Sequence, residues 1–144
     1  WFGVLDPLHE DMTLTGWTTT VTGQSSNKGV NVLEWPNFDP TLGMTFPPFS
    51  DAHHINNMRG VWERTGGNTF VYSFTGFAYD ETNMPVYIAK ISGDVTIFGD
   101  CQYEQITAYI ELFAPGDNPF LAEPFMEFPL PVHWGQRAML NLPF

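Results

Sequence analysis

The chain has 144 residues, with sixteen acidic side chains against five basic ones, a net charge of −11 and 16% aromatic content. Nucleic acid and anionic membrane surfaces both require a basic face, so this charge excludes them as partners. No apolar run is long enough for a membrane-spanning helix, and the length suits one domain with one core.

Cys101 is the single cysteine, so no internal disulfide forms. Taken alone, that points to a reducing compartment. The other signs point outward. The sequence begins at Trp1 rather than Met, as after removal of a leader or truncation, and is acidic, lysine-poor and rich in threonine and aromatics. The expectation is a secreted, extracellular protein. No Asn-x-Ser/Thr acceptor occurs, so sugar would have to sit on threonines such as Thr18, Thr19 and Thr20. The acidic loops suit loose cation binding.

Residues 1–13 form an apolar arm carrying Trp1, Phe2, Val4, Leu5, Leu8 and Met12 around Pro7. Terminal arms fray unless tied down, so this one either packs on its own domain or docks on a neighbour. Residues 14–23 read as a strand with Trp17, Thr19 and Val21 on one face. Val30, Val32 and Trp35 outline a short strand. Pro36, Pro40, Pro47 and Pro48 make the rest of 24–58 a long loop, with another short strand at Met44-Thr45-Phe46.

From residue 60 the pattern becomes regular. Strands are predicted over 60–65 and 69–79, separated by the turn Thr65-Gly66-Gly67-Asn68. Phe70, Tyr72, Phe74 and Ala78 share one face, and Gly76 reads as a bulge or bend. After the turn Asp80-Glu81-Thr82-Asn83, a strand over 84–92 places Tyr87, Ala89 and Ile91 together, and Gly93-Asp94 ends it. Strands over 95–98 and 101–113 follow; in the latter Ile106, Ala108, Ile110 and Leu112 face a core, while Tyr103, Gln105, Thr107, Tyr109, Glu111 and Phe113 form a mixed wall. No helical period is sustained anywhere. The fold expected is all-β: a single antiparallel barrel of about eight strands, calycin-like or jelly-roll-like, with its core over 14–114. Closure would remove exposed sheet edges.

The run Gly60-Val61-Trp62-Glu63-Arg64-Thr65-Gly66 to Thr69-Phe70, its continuation Phe74 to Asp80, and Gly93-Asp94-Val95-Thr96 resemble a family of small secreted bacterial and fungal proteins with a calycin-like, lipocalin-like barrel. Gly135-Gln136-Arg137 is similar to the family's closing Gly-x-Arg, and Leu14-Thr15-Gly16-Trp17 to the Gly/Trp opening of such barrels, with one intervening residue missing. The resemblance is carried mainly by 60–113. It implies a fold and brings no catalytic residues.

Residues 115–144 depart from that pattern, with Pro119, Pro124, Pro129, Pro131 and Pro143 spacing Phe120, Phe125, Phe128, Trp134 and Phe144. Proline cannot donate to a ladder, so this segment is expected to run extended or polyproline-like at least to Pro131. It completes the domain as a lid or last strand, or it docks on the next subunit.

The chemical inventory is thin. The only polar cluster is Asp51, His53 and His54, with Asn56, Asn57 and Arg59 behind. Adjacent histidines in an extended chain point to opposite faces, and a metal needs three or four converging ligands, which His9 and His133 would supply only through the fold. Cys101 beside Asp100 lacks the surroundings of a reactive thiolate. No hydrolase elbow, P-loop or dinucleotide fingerprint is present. No cofactor is implied. Three functions are therefore expected in order: a non-enzymatic subunit of an extracellular homopolymer, assembled through Trp1, Phe2, Val4, Leu5, Phe120, Phe125, Phe128, Trp134 and Phe144; a barrel binding a small apolar ligand; and an isomerase or cyclase using Asp51, His53, His54 or a buried Glu.

Overall fold

The computed structural model describes residues 2–4, 16–34, 52–99 and 103–136. Its strands are β1 (Phe2–Val4), β2 (Gly16–Gly23), β3 (Lys28–Glu34), β4 (His54–Ile55), β5 (Met58–Gly66), β6 (Thr69–Tyr79), β7 (Pro85–Phe98), β8 (Tyr103–Phe113) and β9 (Met126–Gln136). Among the described residues there is no helix. All nine strands join one antiparallel sheet in the order β4-β6-β5-β3-β2-β1-β9-β8-β7, and β6 also pairs with β7. The pairs β2–β3, β5–β6, β6–β7 and β7–β8 are hairpins closed by short turns, whereas β4 skips β5 to pair with β6.

One face of the sheet holds the core. Tyr72, Phe74 and Ala78 of β6, Tyr87, Ala89 and Ile91 of β7, and Ile106, Ala108, Ile110 and Leu112 of β8 pack together with Leu33, Ile55 and Met58. Cross-strand register puts Phe74 beside Ile91 and Ile91 beside Ile110, so three long strands present their apolar sides at one level. Burying a side chain such as Ile110 or Leu112 stabilises the fold by about 1.5–3 kcal/mol.

Several local expectations are corrected. Gly76 is no bulge: it pairs regularly with Ala89, and the irregularity lies between Ala78 and Tyr79. The missing side chain instead leaves room for Met58, whose Cγ lies 2.7 Å from where a Cβ would stand. Gly93-Asp94 does not end a strand, since β7 runs unbroken from Pro85 to Phe98. The turn before β6 is narrower than Thr65–Asn68, because β5 extends through Gly66. The valines of β3 face outward, with Val30 exposed, while Gly29, Asn31 and Leu33 are buried. Phe113 is no part of a wet wall: only 1% of it is exposed, although Tyr109 on the same strand face remains accessible.

The C-terminal prolines are also corrected. Pro129 and Pro131 both lie inside β9, which pairs with β8 and with β1. Pro131 and Val132 fall opposite Thr107 where the register jumps from Ala108↔Leu130 to Ile106↔His133. A bulge is where a sheet tolerates a residue without an amide proton. Met44-Thr45-Phe46, His9 and Cys101 lie outside the described residues.

Close approach to a neighbouring backbone requires glycine at Gly60 and Gly93, among other positions. A Cβ at Gly60 would stand 1.7 Å from the Ser73 carbonyl oxygen, and one at Gly93 would stand 1.9 Å from that of Thr107. Gly93 lies between Tyr72 and Ala108 in the register. The Tyr72 phenol reaches over β7 and donates to the Thr107 carbonyl at 3.0 Å. Gly66, by contrast, has open space around it. Gly60→Ala and Gly93→Ala should each cost about 2–4 kcal/mol in urea unfolding, within the range of overpacked and strained sites. Gly66→Ala should change stability by less than about 1 kcal/mol.

Candidate functional site

The Gly60–Phe70 stretch builds a hairpin rather than a reaction site. Trp62 packs edge-on against Phe70, with ring centroids 5.6 Å apart. Arg64 turns its guanidinium back onto the Gly67 carbonyl, with Nε at 2.7 Å and the terminal nitrogen bonding the same oxygen. It also lies 6.0 Å from the Phe70 ring centre. Thr65 closes the same turn by donating its hydroxyl to the Thr69 carbonyl at 3.2 Å. Arg64 is thus spent on holding a turn, and its five donors suit a carbonyl clamp of this kind.

The polar cluster around residue 53 splits in the same way. Asp51 lies outside the described residues. The His53 amide donates to the Tyr79 carbonyl at 2.7 Å, and His54 in β4 pairs with Tyr79. The His54 ring stacks on Tyr79 at 5.1 Å, nearly parallel to it. The two imidazoles stand 6.2 Å apart at 87°, so they diverge rather than converge. No three His, Cys, Asp or Glu side chains gather in metal-binding geometry among the described residues. Of His133 only the backbone is described, in β9.

Asp80 anchors the neighbouring turn. One carboxylate oxygen accepts from the Thr82 hydroxyl at 2.7 Å, the Thr82 amide at 2.8 Å and the Met84 amide at 2.9 Å. The Thr82 hydroxyl, then the Met84 amide, hold this carboxyl below its usual range. Such a side chain stands in for the backbone of a turn. On the outer face Lys90 and Glu111 are register partners and form an ion pair at 2.7 Å. The Tyr109 phenol is pushed above its ordinary range, first by partial desolvation and then by the charge of Glu127.

The apolar candidates separate into two groups. Phe2 and Val4 belong to β1, which lies between β2 and β9 of its own sheet. Trp134 pairs with Val4 and with Gln105, and Phe128 packs against the core. Trp1, Leu5 and Phe144 lie outside the described residues. In the loop between β8 and β9, by contrast, Phe120 is 70% exposed, Leu121 85% and Phe125 60%. This loop is held at its base by Ala114–Asp117 and Leu112–Phe125 backbone hydrogen bonds. Leu121 was not singled out from the sequence, although it directly follows the Asn-Pro-Phe breaker that lifts the loop.

Asn31 was also missed. It occupies an inward position in β3, only 4% exposed, and is the single buried polar or charged side chain among the described residues. Its Oδ1 and the Trp62 Nε1 are buried without a hydrogen-bond partner. Leaving such a group unsatisfied costs about 1–3 kcal/mol. Inward alternation of Gly29, Asn31 and Leu33 was the signal that could have found it.

No family model, no curated protein and no solved structure matches this chain.

Asp80→Ala should lower the melting temperature near neutral pH. Because the folded carboxyl titrates below its unfolded counterpart, the stabilisation is present above the unfolded value and is lost as pH falls through the folded one. The melting curves of the two proteins should therefore converge in acid.

Proposed function

We propose that this protein is a secreted, non-enzymatic structural subunit. It folds as a closed antiparallel barrel and assembles head-to-tail into an extracellular homopolymer. The barrel reading is supported by the pairing of β6 with both β5 and β7, which joins the β7 end of the strand order back to β6, the strand next to the other end. The lipocalin-like resemblance of the Gly60–Asp80 hairpin points the same way.

The observation that carries the assembly reading is the exposed apolar loop, where Phe120, Leu121 and Phe125 project at 70%, 85% and 60% exposure. Contiguous exposed apolar surface of this kind marks interaction sites. Its partner is a second copy of the chain. The same molecule offers a different apolar surface on the outer side of the sheet: Val30 and Val61 are direct register partners, exposed at 38% and 60%, with Val71 on the next strand. A protruding loop on one subunit and a valine face on another make unlike patches. A contact between unlike patches is heterologous and propagates when it does not close into a ring. The charge of −11 keeps free subunits apart, so assembly rests on apolar contact and is favoured by salt.

The terminal aromatic segments enter this reading differently from the sequence expectation. Phe2–Val4 and Met126–Gln136 pair within the subunit's own sheet, so among the described residues the β8–β9 loop is the donor in this reading.

Sedimentation velocity and negative-stain microscopy test the proposal. The native chain should form polymers whose yield rises with salt. The double variant Phe120→Ser/Leu121→Ser and the single variant Val61→Glu should each sediment as monomers with unchanged circular dichroism. A native chain that stays monomeric at all concentrations, or polymers indifferent to both sets of substitutions, would refute it.

A further inference from the structure

We propose that the core side of β3 and β5 is a binding site for a small uncharged molecule carrying a carbonyl acceptor and an N–H or O–H donor, held by Trp62 Nε1 and Asn31 Oδ1. The two side chains lie on adjacent strands. Register sets Trp62 opposite Gly29, and Asn31 opposite Gly60. Each polar group thus faces a residue with no side chain of its own. The indole nitrogen lies 2.6 Å from where a Gly29 Cβ would stand, and Asn31 Oδ1 lies 2.8 Å from where a Gly60 Cβ would stand. An alanine at either position would displace them.

One of these atoms is a donor and the other an acceptor, and both are buried with no hydrogen-bond partner in the protein. A buried donor and acceptor at diagonal positions of two paired strands suit a ligand that offers the complementary pair. The rest of the wall sets the chemical class. Trp62 packs against a cluster containing Leu33, Met58, Tyr72, Phe74 and Ile91, which is aromatic and aliphatic. No Lys, Arg, Asp or Glu is buried among the described residues, so a charged ligand would find no counter-ion and would be rejected by desolvation. A primary aryl amide has the required pair on an apolar body. This site is independent of the assembly surface, which lies on the outer face and the β8–β9 loop.

The test uses the full chain, uniformly labelled with nitrogen-15, and benzamide as probe. Titration should move the Trp62 indole N–H resonance saturably. N,N-dimethylbenzamide lacks the donor and should bind about tenfold more weakly, the loss expected for one hydrogen bond of about 1.4 kcal/mol. Asn31→Leu, which should retain the fold because it replaces an amide whose buried oxygen is unsatisfied with an apolar group, should abolish the preference between the two probes. Trp62→Phe should weaken both. An indole resonance that benzamide does not move, or a preference that survives in Asn31→Leu, overturns the proposal. So does an indole showing only exchange contact with an internal water.

Discussion

The structure depends on a single crossing. Tyr72 rises from β6, passes over Gly93 of β7 and hands its phenolic proton to the Thr107 carbonyl of β8. Three strands are tied by one side chain, and a Cβ at Gly93 would stand 1.9 Å from the Thr107 carbonyl oxygen that accepts the bond. Thr107 is engaged a second time, since its hydroxyl accepts from the Asp94 amide at 3.2 Å. The same residue faces the bulge where Pro131 and Val132 enter the neighbouring strand. The bond is part-buried, and leaving either group without its partner would cost about 1–3 kcal/mol.

The inner and outer surfaces divide the labour. Inside, aromatic side chains lie across glycines: Tyr72 over Gly93, Trp62 over Gly29. Outside, the turns are fastened by polar side chains, with Arg64 clamped on Gly67 and Asp80 gathering three donors. Residues with the look of chemistry, namely arginine, aspartate and the paired histidines, are occupied in holding loops and strand ends. The groups left over are apolar and exposed at the β8–β9 loop and the valine face, or polar and buried at Asn31 and Trp62. The proposed activities rest on these leftovers.

Much of the fold was legible because the hydrophobic period was clean. Tyr87-Ala89-Ile91 and Ile106-Ala108-Ile110-Leu112 alternate without exception, and all seven are buried. The Asp80 turn was legible from its own chemistry. What failed were phase and punctuation. In β3 the valines mark a strand without showing which face is inner; Gly29 and Asn31 lie inward, and the glycine leaves room for the Trp62 indole opposite. Gly93-Asp94 and Gly76 read as breaks because a glycine in a strand signals either a bend or a close approach, and the local sequence does not distinguish them. Pro129 and Pro131 read as an extended or polyproline-like run that could be a lid or a last strand; it is a strand, and the bulge opposite Thr107 accommodates it. The candidate site was less legible still: exposure of Leu121 and burial of Asn31 are properties of the folded surface, not of spacing.

Amide hydrogen exchange tests the central claim most directly, namely that β6, β7 and β8 form one unit joined by Tyr72. Across these strands the amides should be the slowest in the protein, while those of Phe120 to Phe125 exchange fastest. Tyr72→Phe should accelerate exchange in β8 around Thr107 as well as in β6. If the substitution leaves β8 untouched, or if β7 exchanges as fast as the β8–β9 loop, the three strands are not held by this crossing and the account fails.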